Sequence, residues 1–365
     1  MEMEEYMYQN KVKNRYLAKL VASLGVVALA LTGCASGDAA SEDAASTDGA
    51  GGGELTAVKV GITPAINNAT FNLAIDGELG QAHGLDLQRT VVGGAGSSNQ
   101  VSAMLAGDID ISVGGTNTIA DAISQGSDIQ IIAGHAPLMN NLTLTTDAME
   151  ASGVSLDAPL EERIEALKGL KIAVASAGST SHTVLVSLLT SYGIDVDNDI
   201  TLVPINDLGA VPAGLMQGTY DAAFASAETG GVAVSSGDAV TWISLPRGDV
   251  PEYADYVGLV LYSSRQFIEE NPEIIEGVVA TLHDAETMAR ENPDEAGDIL
   301  KAGIFSDMEP AVFDDAWSQV HASFHQGEKF TKENWQTIVD LFDEGSENDY
   351  SALVYEDIVI EPARG

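Results

Sequence analysis

The sequence predicts an α/β protein of two similar lobes, each a mainly parallel sheet flanked by helices. Three observations carry this. Short β-rich runs alternate with segments of helical period. The same order of motifs occurs twice along the chain. A turn rich in Gly, Ser, Thr or Asn follows the strands, where an open parallel sheet gathers its ligand. With 365 residues, 45% hydrophobic and 19% charged, the chain is long enough for about two cores and too apolar for wholesale disorder.

Residues 58–62 (VKVGI) read as the first strand, and a helix over 69–83 ends near Gly84. Residues 85–92 (LDLQRTVV) form the next strand, then a glycine turn and a helix over 99–106. The third and fourth strands are 109–113 and 129–133, with a helix over 118–125 between them. The order then recurs at a nearly constant spacing. Residues 171–175 (KIAVA) repeat 59–63, and Gly193-Ile194-Asp195-Val196 repeats Gly84-Leu85-Asp86-Leu87. Met216-Gln217-Gly218-Thr219-Tyr220-Asp221 repeats Leu105-Ala106-Gly107-Asp108-Ile109-Asp110. The β-rich runs 141–146 and 257–263 flank the second unit and are expected as two hinge crossings. From Gln266 onward the pattern is helical: Ile274, Val278 and Leu282 share a face, and Pro272 and Pro293 sit near helix starts. The expected layout is a first lobe of residues 55–145 plus 255–365, with a second lobe of 146–254 inserted in it.

The N-terminus reads as a targeting segment. Lys11, Lys13, Arg15 and Lys19 precede the apolar run 20–31, which is too short to span a bilayer and fits a signal-peptide core. The run ends in Leu31-Thr32-Gly33-Cys34, which resembles the bacterial lipobox. Residues 1–33 are therefore expected to be a lipoprotein signal peptide, with Cys34 lipidated. The Gly/Ser/Asp-rich residues 34–54 are a flexible linker. The protein is expected outside the cytoplasm, anchored to the outer face of the cell membrane or in the periplasm. A single cysteine excludes a disulfide scaffold, a four-thiolate zinc site and an iron–sulfur cluster. The formal charge of −39 excludes nucleic acid as a partner, because phosphate binding needs clustered Lys and Arg.

The turns supply the candidate ligand-binding residues: Thr63, Asn67 and Asn68 after the first strand, and Gly114, Gly115, Thr116 and Asn117 after the third. The second lobe contributes Gly178, Ser179, Thr180, Ser181, His182, Asp207 and Glu228. Helix N-termini expose unpaired N–H groups and hold polar or anionic ligands without basic side chains. Glycine admits close backbone approach, and hydroxyls add donors and acceptors. Phe71 is a candidate apolar wall. No Gly-Lys-Ser/Thr follows the glycines, so no Walker A loop is present. His321 and His325 have zinc-ligand spacing but no third ligand, and His182 beside Ser181 does not make a nucleophile–base pair. No catalytic residue, metal or cofactor is assigned, and the protein is expected not to be an enzyme.

The motif order resembles the substrate-binding lipoproteins of ABC importers of the nitrate/sulfonate/taurine type. The residues that carry this are Val60-Gly61-Ile62-Thr63-Pro64, His83-Gly84-Leu85-Asp86-Leu87, Leu105-Ala106-Gly107-Asp108-Ile109-Asp110-Ile111, Leu167-Lys168-Gly169-Leu170-Lys171-Ile172-Ala173-Val174, Gly178-Ser179-Thr180-Ser181, Gly218-Thr219-Tyr220-Asp221-Ala222-Ala223 and Asn292-Pro293-Asp294-Glu295-Ala296, within residues 57–303. The resemblance implies a type II periplasmic-binding-protein fold, a small-molecule ligand between the lobes, hinge closure, an ABC permease as partner and a monomer. It also implies that residues 178–181, 114–116, Asn67, Asn68 and Glu228 face the ligand. Such proteins often carry an aromatic–acid–proline motif where this chain reads Phe224-Ala225-Ser226-Ala227-Glu228-Thr229. All basic residues beyond Cys34 lie outside the candidate turns. A sulfonate or taurine-like ligand and an aminopyrimidine thiamine precursor both remain open, since Asp207 and Glu228 can accept hydrogen bonds from an amine. The alternatives are a surface receptor feeding a sensor, and a relative of a pyrimidine synthase; the latter uses a cysteine-rich motif that this chain lacks.

Overall fold

Each copy of the repeated motif builds the same corner of a five-stranded sheet. The computed structural model describes residues 54–365 except 91, 93–96, 255, 325–328 and 343–348. The expected signal peptide, Cys34, nearly all of the linker, the glycines of the 93–96 turn and His325 lie outside the described residues. Among the described residues, β1 (Thr56–Gly61), β2 (Leu85–Thr90), β3 (Ile111–Gly115) and β4 (Ile129–Pro137) are joined by α1 (Ala69–Asp76), α2 (Ser97–Leu105) and α3 (Thr116–Ser124). The chain crosses at Leu138 and Met139 into β5 (Asn140–Thr145), α4 (Thr146–Ser152), α5 (Leu160–Glu165), β6 (Lys171–Ala175) and α6 (Thr180–Ser191). Then come β7 (Thr201–Ile205), α7 (Val211–Met216), β8 (Ala222–Ser226), α8 (Ala227–Ser236) and β9 (Ala239–Ser244). Residues 245–256 return it to β10 (Val257–Ser264). The remainder is α9 (Arg265–Glu270), α10 (Pro272–Glu291), α11 (Pro293–Ala302), α12 (Pro310–Val320), α13 (Lys332–Phe342) and α14 (Tyr355–Ile358).

One sheet has the order β2-β1-β3-β10-β4 and the other β7-β6-β8-β5-β9. In each, the strands begun by the repeated motifs pair in parallel, and one antiparallel strand follows them. The repeated aspartates explain the likeness. Asp110 accepts the Lys59 N–H at 2.8 Å and Asp221 accepts the Lys171 N–H at 2.7 Å. Each aspartate N–H donates back to the same lysine's carbonyl, at 2.8 and 2.9 Å. The motif therefore zips the third strand of each lobe to its first. It is a structural motif.

Three expectations are corrected. The strand at 140–145, counted with the first lobe, pairs with β8 and β9 in the second sheet. A β-rich run shows that a strand exists, whereas its partners, such as Phe224 opposite Leu142, lie far along the chain. The helix expected over 69–83 stops at Asp76, because Gly77 and Glu78 (φ 53°) turn the chain into a 3-10 segment, Leu79–His83. Finally, the C-terminal helices do not serve the first lobe alone. α10 and α11 pack on α1, but α12 packs on α8 and α13 on α6, both in the second lobe.

His135 on β4 is buried in the first lobe, with the rings of Phe71 and Phe324 at 6.5 and 6.1 Å. Burial pushes its pKa down from 6.5 to about 3. At neutral pH the ring is uncharged, so its contact with Glu286 (Nδ1 to Oε1, 3.8 Å) is not an ion pair. The unfolded chain protonates this histidine near 6.5 and the folded chain only near 3. The stabilisation is present above pH 6.5 and is lost as pH falls toward 3, at about 1.4 kcal/mol per pH unit. The urea midpoint should drop more steeply between pH 7 and pH 4 in the parent than in His135→Leu; equal slopes would refute the assignment.

Candidate functional site

The carboxyl ends of β1, β3, β6, β7 and β8 converge on one cavity of about 480 Å³ with walls from both lobes. That volume lies within the range of small-molecule sites. From the first lobe come Thr63, Asn67, Asn68, Ser97, Asn99, Gln100, Gly114, Gly115 and Thr118; from the second come Asn140, Ser176, Ser179, Thr180, Ser181, Asn206 and Ser226. Leu138, Phe224, Leu259, Ile205 and Leu208 add apolar surface. Among the described residues the lining holds no Lys, Arg, His, Asp or Glu. What the cavity offers a small molecule is carboxamides, hydroxyls and the first turns of α2, α3 and α6.

These groups are held in place. Asn68 Nδ2 donates to Thr63 Oγ1 at 2.9 Å and Asn72 Nδ2 to the Thr63 carbonyl at 3.1 Å. Arg89 donates to Asn72 Oδ1 at 3.1 Å and pairs with Asp76 at 2.8 Å, so an ion pair behind the wall orients the first turn. Ser97 Oγ accepts the Gly115 N–H at 3.0 Å. Asn140 Nδ2 donates to Ser181 Oγ at 2.9 Å, and Ser176 Oγ to Asn206 Oδ1 at 2.6 Å. Ser179 caps α6 by accepting the His182 N–H at 3.2 Å, as a helix-start serine does.

The lobes touch across this cavity. Thr118 Oγ1 and Thr180 Oγ1 lie 3.2 Å apart, and the Ile66 N–H donates to Glu228 Oε1 at 3.1 Å. Gly115 faces Thr180 so closely that an added Cβ would sit 2.0 Å from Thr180 Oγ1. Burial pushes the Glu228 carboxyl up, opposed by hydrogen bonds from Ser226 Oγ and the Ile66 N–H. Glu228 Oε2 and Asn67 Oδ1 are both buried acceptors without a donor among the described residues.

Of the residues expected from sequence, Thr63, Asn67, Asn68, Gly114, Gly115, Ser179, Thr180 and Ser181 lie on the cavity wall. Seven do not. Phe71 is fully buried in the core beside His135. Thr116 is buried and donates to the Val257 carbonyl at 2.6 Å, and buried Asn117 accepts from Tyr256 OH. Gly178 precedes the cap of α6, and half-buried His182, its pKa lowered by burial, follows it. Asp207 turns to its own loop and accepts the Gly209 N–H at 3.0 Å. Glu228 sits at the lobe contact behind Ser226. Asn99, Gln100, Thr118 and Asn140 were not singled out from sequence. The first three lie in opening helical turns one step beyond the caps, a usable signal; Asn140 opens a strand and carried none. His321 packs on Trp317, and among the described residues no cluster of three or more His, Cys, Asp or Glu is placed to hold a metal. Among these residues no helix is long and apolar enough to cross a membrane.

The model of the NMT1-like family matches residues 51–302. No curated protein sequence matches the chain. The alkanesulfonate-binding protein SsuA of Xanthomonas axonopodis pv. citri, bound to MOPS, superposes with a TM-score of 0.63 at 19% identity, covering 86% of this chain and 99% of that one. The periplasmic aliphatic sulphonate binding protein SsuA of Escherichia coli gives a TM-score of 0.63 at 18% identity, covering 83% and 98%. The periplasmic nitrate-binding protein NrtA of Synechocystis PCC 6803 gives 0.58 at 15% identity, covering 72% and 70%. At these identities the likeness is one of fold: the two lobes have the periplasmic-binding-protein architecture.

Proposed function

Because the chain belongs to the NMT1-like family, we propose that it is an extracytoplasmic solute-binding protein that captures a small polar organic molecule between its lobes and delivers it to an ABC permease. The observation that carries this is the cavity itself, walled by both lobes and lined by uncharged hydrogen-bonding groups. The carboxamides and hydroxyls on its wall suit hydrogen-bonded recognition of a polar molecule. Lipidation at Cys34 would keep a monomeric receptor at the membrane, beside its permease. The solute is a sulfonate or taurine-like compound, or an aminopyrimidine. Solved structures of similar fold are described as sulfonate- and nitrate-binding, and the carboxamides here can serve either class.

A thermal-shift panel of alkanesulfonates, taurine, nitrate and aminopyrimidines tests the reading. A binder at about 100 times its Kd stabilises by about 2.7 kcal/mol, an upward Tm shift of several degrees. Turnover of a bound compound would overturn it.

Glu228 gives closure a pH dependence. Its carboxyl is pushed above its ordinary value of 4.5 where the lobes meet. Opening returns it toward that value, so closure takes up a proton. The contribution is fully present below about pH 4.5 and is lost as pH rises through the raised value. Affinity for the panel's binder should fall over that window in the parent and stay flat in Glu228→Gln, whose amide oxygen can still accept the Ile66 N–H. Parallel profiles would refute the assignment.

A further inference from the structure

Two hydrogen-bonded contacts across the cavity are not all that joins the lobes. We propose that α12 and α13 form a two-armed clasp that keeps the lobes together before any solute arrives. Both arms touch the first lobe, although α12 packs more extensively on α8 of the second. On α12, Phe313 packs on Phe305 at 5.3 Å between ring centres, and Trp317 Nε1 donates to the Pro293 carbonyl at 2.9 Å. On α13, Trp335 packs against Tyr350, whose hydroxyl donates to Asp121 of α3 at 2.8 Å.

Each arm then reaches a second-lobe helix that begins at the cavity. α8 follows Ser226 of the wall and carries adjacent glycines, Gly230 and Gly231, in its interior. A glycine there costs about 1 kcal/mol relative to alanine, and here close packing on both sides accounts for the pair. A Cβ on Gly230 would lie 2.2 Å from Thr143 Oγ1 of β5, and one on Gly231 would lie 3.1 Å from Val312 of α12. The helix is thus pressed between its own sheet and the first arm. The same arm accepts a hydrogen bond from Asn141 Nδ2 to Gln319 Oε1 at 3.1 Å. The second arm lies along α6, where Ser187 Oγ donates to the Leu341 carbonyl at 3.0 Å. Phe342 closes on Tyr253 and Tyr256 of the return crossing at 6.3 and 5.3 Å, and Tyr253 OH donates to the Val184 carbonyl of α6.

Opening about the two crossings must therefore loosen each arm from one lobe or the other. Two strand crossings alone would leave the lobes free to swing. The clasp biases the solute-free lobes toward the closed arrangement by a margin small enough that a lobe-contact variant reverses it, and solute enters by loosening it. This goes beyond the binding reading and is tested without ligand, so the two can fail separately.

The test uses the full chain with Cys34→Ser and one label on each lobe, at Ser102→Cys and Asp197→Cys, both exposed positions. The protein is unfolded, washed free of carried solute and refolded, and the inter-label distance distribution is measured. The expected result is a dominant short-distance population in the parent. Gly231→Leu, which wedges α12 from α8, and the milder triple variant Val312→Ala, Gln319→Ala, Ser187→Ala should each shift the balance to a longer-distance population. The triple variant decides if the wedge prevents folding. A parent in which the longer-distance population dominates, or a folded triple variant identical to the parent, overturns the clasp.

Discussion

Gly115→Ala is expected to weaken solute binding about 10- to 100-fold while leaving each lobe folded. The added Cβ would lie 2.0 Å from Thr180 Oγ1 and 2.8 Å from Thr180 Cβ, separations that no rotamer of Thr180 relieves fully. Overpacking of this kind costs about 1–3 kcal/mol, and about 1.4 kcal/mol is a factor of ten in affinity. The penalty falls on the closed arrangement, because Gly115 and Thr180 belong to opposite lobes and meet only at their contact. Thr180→Gly removes the opposing atoms together with the Thr118 contact, so alone it also weakens binding. In the double variant most of the Gly115→Ala penalty should vanish, giving a coupling energy that a non-contacting pair would not show. Titration of the four members of this cycle with the panel's binder decides the matter. Additive effects, or an unchanged affinity in Gly115→Ala, would place the lobe contact elsewhere.

The largest loss of stability is expected at Trp242. Its side chain on β9 is fully buried. Its Nε1–H donates to the Arg163 carbonyl at 2.9 Å, and Arg163 Nη1 donates back to the Trp242 carbonyl at 2.7 Å. The indole thereby ties α5 to an outer strand of the second sheet. Trp242→Ala removes the core volume and one bond of this reciprocal pair, at a cost of about 3–5 kcal/mol. Against a total stability of about 5–15 kcal/mol, that brings the protein close to unfolding. Trp242→Phe keeps most of the volume and leaves only the Arg163 carbonyl unpaired, at about 1–3 kcal/mol. Urea midpoints should rank the parent above Trp242→Phe, and Trp242→Phe well above Trp242→Ala. Equal midpoints for the two variants would show that the hydrogen bond, and not the ring volume, carries the cost.

Much of the architecture was legible because it rests on local chemistry. Strand runs such as 171–175 and helix starts such as Ser179 are set by neighbours a few residues away, and period and capping report them directly. The doubling of the fold was legible for the same reason: Lys59 with Asp110 and Lys171 with Asp221 are one local solution used twice. The cavity wall was half legible. Polar residues at helix starts were the right class, but Thr116 and Asn117 cannot be told from Thr118 by type. One turn of helix decides that two of them point into the core and the third into the cavity.

By itself the sequence determined many of the strands, the repeat and the polar turns, all written in residues close together along the chain. Tertiary structure alone decided that residues 140–145 join the second sheet, that Phe71 is core, and that α12 and α13 reach across to α8 and α6. It also decided where the lobes meet: Thr118 bonds to Thr180 across 62 residues, and Ile66 to Glu228 across 162. Propensity and period act within a turn or two of chain, whereas burial, strand partnership and lobe contact are settled only when distant segments compete for the same space.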